Sequence, residues 1–333
     1  MVRVIESLFD YQQSSNLTAF ERFKVKIVTI TLNPAFDIHC RIDNFIPYHE
    51  NLAEMTERDA GGKGVNISRA LTANGVENTA LLVLGEENAE EFRKCLAVDN
   101  ISSYNIVIPG RIRENITIHT EGEDETRISF SGFSTDNSLL QMTDSVLNEL
   151  LEEETYVTFT GRVPDGIGMV AVKNFLHRLK NRGANIIIDS RSFERQDLID
   201  VKPWMIKPNQ EEISHYFSRE IQSFETAMEA AREMHQAGID NVMISLGAQG
   251  ALLVCEQGTF VATAPRINAI STIGAGDSSI AGFLVAEVNK KPPAEMLATA
   301  VAYGSAACMQ KGTRPPKAED VANLLKEIFV DKI

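Results

Sequence analysis

From Lys24 onward the chain alternates short runs rich in β-branched residues with longer amphipathic stretches, and no other feature of the sequence limits its fold so strongly. The strand candidates are VKIVTIT (25–31), TALLVL (79–84), TYVTFT (155–160), NIIID (185–189), WMIK (204–207) and NVMISL (241–246). Between them lie helical stretches at 65–74, 138–151, 166–182 and 224–237, each long enough to make a crossover between parallel strands. Such alternation predicts an α/β fold, a mostly parallel sheet covered by helices. A chain of 333 residues, 44% of them hydrophobic, can bury the core this needs without a disulfide or metal staple.

Two segments, 38–58 and 113–131, break the rhythm with short alternating runs such as ITIHT and TRISFS, separated by a turn-prone EGEDE. They read as a small β appendage inserted into the core. The C-terminal third, from Ala275 to Val330, changes to helices rich in Ala and Gly that can pack closely on a sheet or a flat ligand. No repeat, low-complexity tract or Pro-rich linker divides the chain, so one domain is expected over 25–333. Residues 1–24 carry scattered charges without the apolar stretch of a secretory signal, and read as an N-terminal extension, an appended helix or leader.

There are 32 Lys and Arg against 46 Asp and Glu, a net charge of -14, which disfavours non-specific binding to nucleic acid or to an anionic membrane. No apolar run approaches the ~18–20 residues of a membrane span. Cys40, Cys95, Cys255 and Cys308 form no CxxC pair, and the six histidines show no close ligand spacing. A reduced, cytoplasmic enzyme of small molecules without structural zinc is the expectation. If its substrates are phosphates, its few cations must be clustered where they bind.

The stretch STIGAGDSSIAGFL (271–284) holds most of the chemistry. Gly274, Ala275 and Gly276 are small enough to let backbone N–H groups converge where a helix begins, and such a turn cradles anionic oxygen. Asp277 beside it can take the proton of an attacking hydroxyl during phosphoryl transfer. Taken alone, the same residues also make an ordinary tight turn with Asp277 as a helix cap. A dinucleotide fingerprint is excluded by the missing third glycine and the absent acidic ribose partner. A Walker A loop is excluded because Gly62-Lys63 is followed by Gly64 rather than Ser or Thr.

Upstream, DAGGKGVNISRAL (59–71) sets a Gly-rich turn with Gly62 and Lys63 before a helix that carries Asn66 in its first turn. It can hold a polar or anionic ligand, or be a flexible surface turn. TLNPAFD (31–37) ends a strand in an Asx-Pro turn and presents Asp37, expected as an exposed carboxylate at a strand's C-terminal end, able to hold sugar hydroxyls at that edge of a parallel sheet.

TLNPAFD, AGGKGVNISRAL, KPNQEE, SLGAQGALL and STIGAGDSS stand in the order and spacing of the PfkB family of carbohydrate kinases, and the chain resembles most closely its 1-phosphofructokinase and tagatose-6-phosphate kinase branch. The resemblance runs from about Lys26 to about Leu325. It implies a ribokinase-like three-layer α/β/α sandwich whose inserted strands form a lid, often also the contact of a homodimer. It implies ATP and Mg²⁺ as cofactors and a phosphorylated ketohexose as acceptor, with fructose 1-phosphate ahead of tagatose 6-phosphate and fructose 6-phosphate. Asp277 becomes the base, and the backbone from Gly274 to Asp277 the anion hole. Asp37, Gly62, Lys63 and Asn66 match sugar-contacting positions, while Arg113 and Asn115 in RIREN match the element whose arginine meets the substrate phosphate.

On the nucleotide side, Asn209 and Glu212 in KPNQEE match the residues that position Mg²⁺ through water, although the pair also reads as a helix capping box. Lys207, Ser245, Gly247, Gly250 and Thr272 match the surroundings of the ATP phosphates, and Gly304 falls in the small-residue stretch 300–313 where adenine docks. TGRVPDG (160–166) departs from the branch's usual SGSLPxG. Arg162 there is expected to reach the sugar's phosphate with Lys63 and Arg113, the alternative being a surface pair with Asp165. A sugar- or nucleotide-binding regulator without catalysis is the rival from another class.

Overall fold

The computed structural model describes residues 26–122, 125–152 and 154–333, so the extension at 1–24 lies outside the described residues. The first third runs β1 (Ile27–Thr31), β2 (Ala35–Arg41), β3 (Glu54–Gly61), α1 (Lys63–Ala73), β4 (Thr79–Gly85), α2 (Ala89–Val98) and β5 (Ser103–Ile108). It continues through β6 (Arg113–His119), β7 (Thr126–Ser129), α3 (Ser138–Leu150), β8 (Tyr156–Thr160), α4 (Met169–Asn181), β9 (Asn185–Asp189), α5 (Arg195–Val201) and β10 (Met205–Ile206). The last part comprises α6 (Gln210–Phe217), α7 (Phe224–Gln236), β11 (Asn241–Ser245), β12 (Gly250–Cys255), β13 (Gly258–Thr263), α8 (Ala275–Val288), α9 (Pro293–Cys308), α10 (Ala318–Leu324) and β14 (Val330–Lys332).

Ten strands form one sheet in the order β14-β13-β12-β11-β10-β9-β8-β1-β4-β5. All pairs from β11 to β5 are parallel, and β12, β13 and β14 close the other edge antiparallel. Alternate residues of the central strands feed opposite cores, as a two-residue period requires. On β9, Ile186 and Ile188 pack with Phe175 and Leu176 of α4, whereas Ile187 packs on the other side with Ile67 of α1 and Ile280 of α8. The result is the three-layer α/β/α sandwich.

The C-terminal helices sit tightly for a local reason. A Cβ on Gly282 would lie 2.7 Å from the Thr299 carbonyl oxygen, and one on Gly304 would lie 2.3 Å from Ser279 Oγ, so α8 and α9 meet through their glycines. The helical reading to Val330 is corrected at its end: Val330–Lys332 is a strand paired with β13. The helix expected at 166–182 begins only at Met169, because Gly166 turns the chain with φ +93°. Strands β5, β12 and β13 join those found by periodicity. Ala251–Cys255 is buried on both faces and so shows no alternation.

A separate sheet, β3-β2-β6-β7, stands apart from the main one. It extends a few residues past the irregular segments seen in the sequence, since β2 starts at Ala35 and β3 ends at Gly61. Both ends run directly into the main sheet's carboxyl edge, through Asn33-Pro34 and Gly62. Among the main strands, β1 is flanked by β4 and β8, so the winding direction reverses there and opens a crevice at the strand ends.

Candidate active site

Around that crevice the sequence places Asp189 at the end of β9, Lys207 directly after β10 and Ser245 at the end of β11. The glycine turn before α8 meets them. Gly274 adopts φ +77°, a left-handed conformation that glycine takes without strain, and starts the helix. The first turn of any helix leaves N–H groups without intrahelical acceptors, here from Ala275 to Asp277, of which Ala275 donates at 3.4 Å to the Thr272 carbonyl ahead of the helix. The Lys207 ammonium rests against that turn, since a Cβ on Gly276 would come within 3.0 Å of its Nζ. Backbone donors and an ammonium therefore converge on one point, a site for an anion.

Asp277 is 6% exposed, and its Oδ2 accepts a hydrogen bond of 2.8 Å from Asn66 Nδ2. The Asn66 amide is locked in that sense, because its Oδ1 accepts from Arg69 Nη1 at 2.8 Å. Burial, above all, lifts the Asp277 pKa to about 6; Lys63 opposes the rise and Asp189 adds to it. Lys63 donates to Asp189 Oδ1 at 2.9 Å, and Lys207 lies 3.9 Å from the other oxygen of the same carboxylate. Burial pulls the Lys63 pKa down, but Asp189 and Asp277 outweigh it and hold the ammonium above its usual range. Asp189 is pushed up by burial and is nonetheless lowered overall by Lys207 and Lys63. Two carboxylates and two ammoniums thus form a buried cluster in which Asp277 is the group nearest to neutrality.

A second group lies on the small sheet, where Asp37 is a buried residue within β2 rather than the exposed carboxylate at a main-sheet strand end that the sequence suggested, because the chain enters the small sheet at Ala35. Asp37 Oδ1 accepts from Asn115 Nδ2 at 2.8 Å and from Arg127 Nη2 at 3.3 Å. Its Oδ2 lies only 2.1 Å from where a Cβ on Gly61 would be, so glycine is required for the carboxylate to sit there. Gly62, with φ +119°, then turns the chain into α1 and brings Lys63 and Asn66 towards Asp277. Arg113 donates to Asn115 Oδ1, to the Phe130 carbonyl and to the Asn33 carbonyl at 3.2, 3.0 and 3.4 Å. Arg162 is exposed at the rim and forms an ion pair of 3.3 Å with Asp165. Lys63 is engaged with Asp189 and is not joined to Arg113 or Arg162 in this state.

A cavity of about 1180 Å³ opens on the other side of the glycine turn. Asn209, Ser245, Gly247, Gly250, Thr272 and Gly304, all expected on the nucleotide side, line it, and so do Ala275 and Gly276. Asn209 and Glu212 form a reciprocal capping box: Asn209 Oδ1 accepts from the Glu212 N–H at 2.8 Å, and Glu212 Oε2 from the Asn209 N–H at 3.0 Å. The remaining oxygen of Glu212 accepts from Arg191 Nε at 3.2 Å. Among the described residues no three His, Cys, Asp or Glu side chains form a metal cage. Glu212 offers one carboxylate, already held by the Asn209 N–H and by Arg191, so it can reach Mg²⁺ only through water, which that ion keeps in its shell.

Asp189, Arg127 and Arg191 were not selected from the sequence. Asp189 carried a usable signal, a carboxylate ending a parallel strand, the same one that selected Asp37. Arg127 carried none, being one charge among several in an alternating run.

A nucleotide-sized cavity and a polar pocket meeting at a glycine turn with a buried carboxylate form the layout of an enzyme that moves a phosphoryl group between two ligands. The family described as pfkB family carbohydrate kinase matches residues 31–320. The 1-phosphofructokinase of Vibrio cholerae is 29% identical over 308 residues, covering 92% of this chain and 97% of that protein. The 1-phosphofructokinase of Escherichia coli K12 is 31% identical over 291 residues, covering 86% and 91% respectively. The crystal structure of phosphofructokinase-2 from Escherichia coli in complex with potassium superposes with a TM-score of 0.85 at 26% identity, over 91% of this chain and 99% of that one. This chain belongs to the pfkB family of carbohydrate kinases. It is an ATP-dependent sugar kinase with the ribokinase-like fold.

Proposed function

We propose that this kinase transfers the γ-phosphoryl group of ATP to a hydroxyl of a ketohexose monophosphate, giving a bisphosphate, with Asp277 as the general base. Fructose 1-phosphate is the leading acceptor, ahead of tagatose 6-phosphate and fructose 6-phosphate. The observation that carries this reading is the position of Asp277: buried, at the first turn of α8, hydrogen-bonded to Asn66 on the sugar side and next to Gly276 on the nucleotide side.

With a pKa of about 6, Asp277 is ionised at neutral pH yet basic enough to take up a proton as the sugar oxygen attacks. Asn66 orients the carboxylate, and Lys63 keeps it from staying neutral. The N–H groups from Ala275 to Asp277, with Lys207 beside Gly276, receive the charge on the phosphoryl oxygens in flight. Asp37, positioned by Asn115, holds sugar hydroxyls. Mg²⁺, when bound near Asn209 and Glu212, supplies charge neutralisation at the ATP phosphates. The small sheet acts as a lid over the acceptor, which keeps water from the phosphoryl group.

Two copies pair through this lid. Tyr48, Leu52, Met55, Ile128 and Phe130 are exposed apolar side chains of the lid strands or the segments joining them, more than a lone surface usually leaves to water. Release of ADP from ATP in the presence of each of the three sugar phosphates tests the activity. Turnover with at least one is expected; binding of ligands without ADP release from any would make the chain a non-catalytic regulator instead.

A further inference from the structure

The inner face of the lid sets Arg113 and Arg127 beside the carboxylates of Asp37, Asp59 and Glu57. Register pairs Asp37 with Asn115, Ala35 with Arg113 and Thr117 with Arg127, and alternate strand residues share a face. Arg113, Asn115, Asp37 and Arg127 therefore look into one space, as the hydrogen bonds of Asn115 and Arg127 to Asp37 show. Arg113 has only neutral partners, and its buried Nε has none among the described residues. Its pKa is lowered, first by burial and then by the charges of Arg127 and Arg162, with Asp37 opposing. Arg127 and Arg162 both bear on Arg113 and are each paired, with Asp37 and Asp165, whereas Arg113 has no ion pair of its own among the described residues. Such a cluster is relieved by an anion.

We propose that Arg127 is a specificity residue of the acceptor site: its guanidinium rests on Asp37 until the sugar arrives, then moves to the phosphate the sugar already carries. The inference rests on the sugar-phosphate reading above and adds to it a residue and a coupling. Transfer of Arg127 to the phosphate frees one acceptor direction of Asp37 Oδ1 for a sugar hydroxyl, the other staying with Asn115, so the two ends of the acceptor are sensed together. An unphosphorylated ketohexose leaves the Arg127–Asp37 pair in place and meets a hydroxyl-binding carboxylate that is still engaged. Arg127 has the freedom to move, being 42% exposed at the side chain on a short edge strand of the lid. Lys63 lacks that freedom, held by Asp189 at the far end of the pocket.

The test compares wild type, Arg127→Gln and Arg127→Lys with a ketohexose phosphate, the parent ketohexose and ATP. Losing a charge-assisted contact should raise the KM for the sugar phosphate about ten- to a hundred-fold in Arg127→Gln. The KM for ATP should stay within about two-fold, and the preference in kcat/KM for phosphorylated over unphosphorylated sugar should shrink by at least the factor by which the KM rises, since Asp37 is then open to both sugars. Arg127→Lys should recover part of the loss, having the charge without the planar fork. A purely structural role would weaken both sugars alike. An unchanged preference in a variant with wild-type melting behaviour overturns the inference, and Arg127→Lys decides it in the same way should the glutamine variant not fold. A wild type that turns over sugar phosphates while Arg127 is indifferent overturns this inference alone; a wild type inactive with every sugar phosphate overturns the underlying reading as well.

Discussion

Asp277 and Asp189 are both buried aspartates at the same crevice, and their environments drive them apart. Asp189 is paired with both ammoniums and stays ionised, whereas Asp277 feels them without an ion pair among the described residues and is pushed up to about 6. Such a separation marks which of two carboxylates can exchange a proton near neutral pH. The acid limb of the kcat/KM profile should therefore fall about ten-fold per pH unit below an apparent pKa near 6. Asp189 raises the Asp277 pKa, so Asp189→Asn should move that limb to lower pH, and a pH–rate profile of the variant checks the sign. The same change leaves Lys63 and Lys207 with an uncharged partner. Breaking a buried pair of this kind costs about 3–5 kcal/mol, which urea titration would register. Asp277, Lys63 and Asn66 stand out as candidates in the sequence because glycine-rich turns mark them locally, and Asp37 because an Asx-Pro turn precedes it. The partners that tune them do not, since Lys63 meets Asp189 across 126 residues and Arg127 meets Asp37 across 90.

At the scale of elements, most parallel strands and their crossovers could be read from period and length, while β5 with its crossover α2, and β12, β13 and β14, could not. The last is three residues long and owes its conformation to β13 beside it rather than to its own sequence. The Ala- and Gly-rich composition of α8 and α9 was visible, but its purpose required the packing: glycine lets the two backbones approach so that Gly304 can form part of the nucleotide cavity. Gly282→Ala tests that account, because its Cβ would press on the Thr299 carbonyl and the Tyr303 ring, both at 2.7 Å. Overpacking of a tight interface costs about 1–3 kcal/mol. A lower urea midpoint with a raised KM for ATP is expected. An unaffected KM for ATP would mean that the helix pair does not shape the cavity.

Over the whole molecule, the main sheet supplies the crevice, and in the proposed mechanism the small sheet is the movable wall that completes it. By the same proposal the exposed apolar side chains on that wall connect assembly to catalysis. Replacing Leu52 and Phe130 together by Glu should give a monomer in light scattering and weaken acceptor binding more than ATP binding, because the lid, not the nucleotide cavity, loses its support. A monomeric wild type would contradict the pairing. The central claim concerns the carboxylate at the junction of the two half-sites. Its most direct measurement is ADP formation by Asp277→Asn at saturating ATP and sugar phosphate, above pH 7, alongside nucleotide binding by the same protein. The account predicts a loss of about 10²–10⁴-fold in kcat with ATP affinity retained, since the amide keeps the shape but cannot take the proton. A kcat within a few-fold of wild type would contradict it.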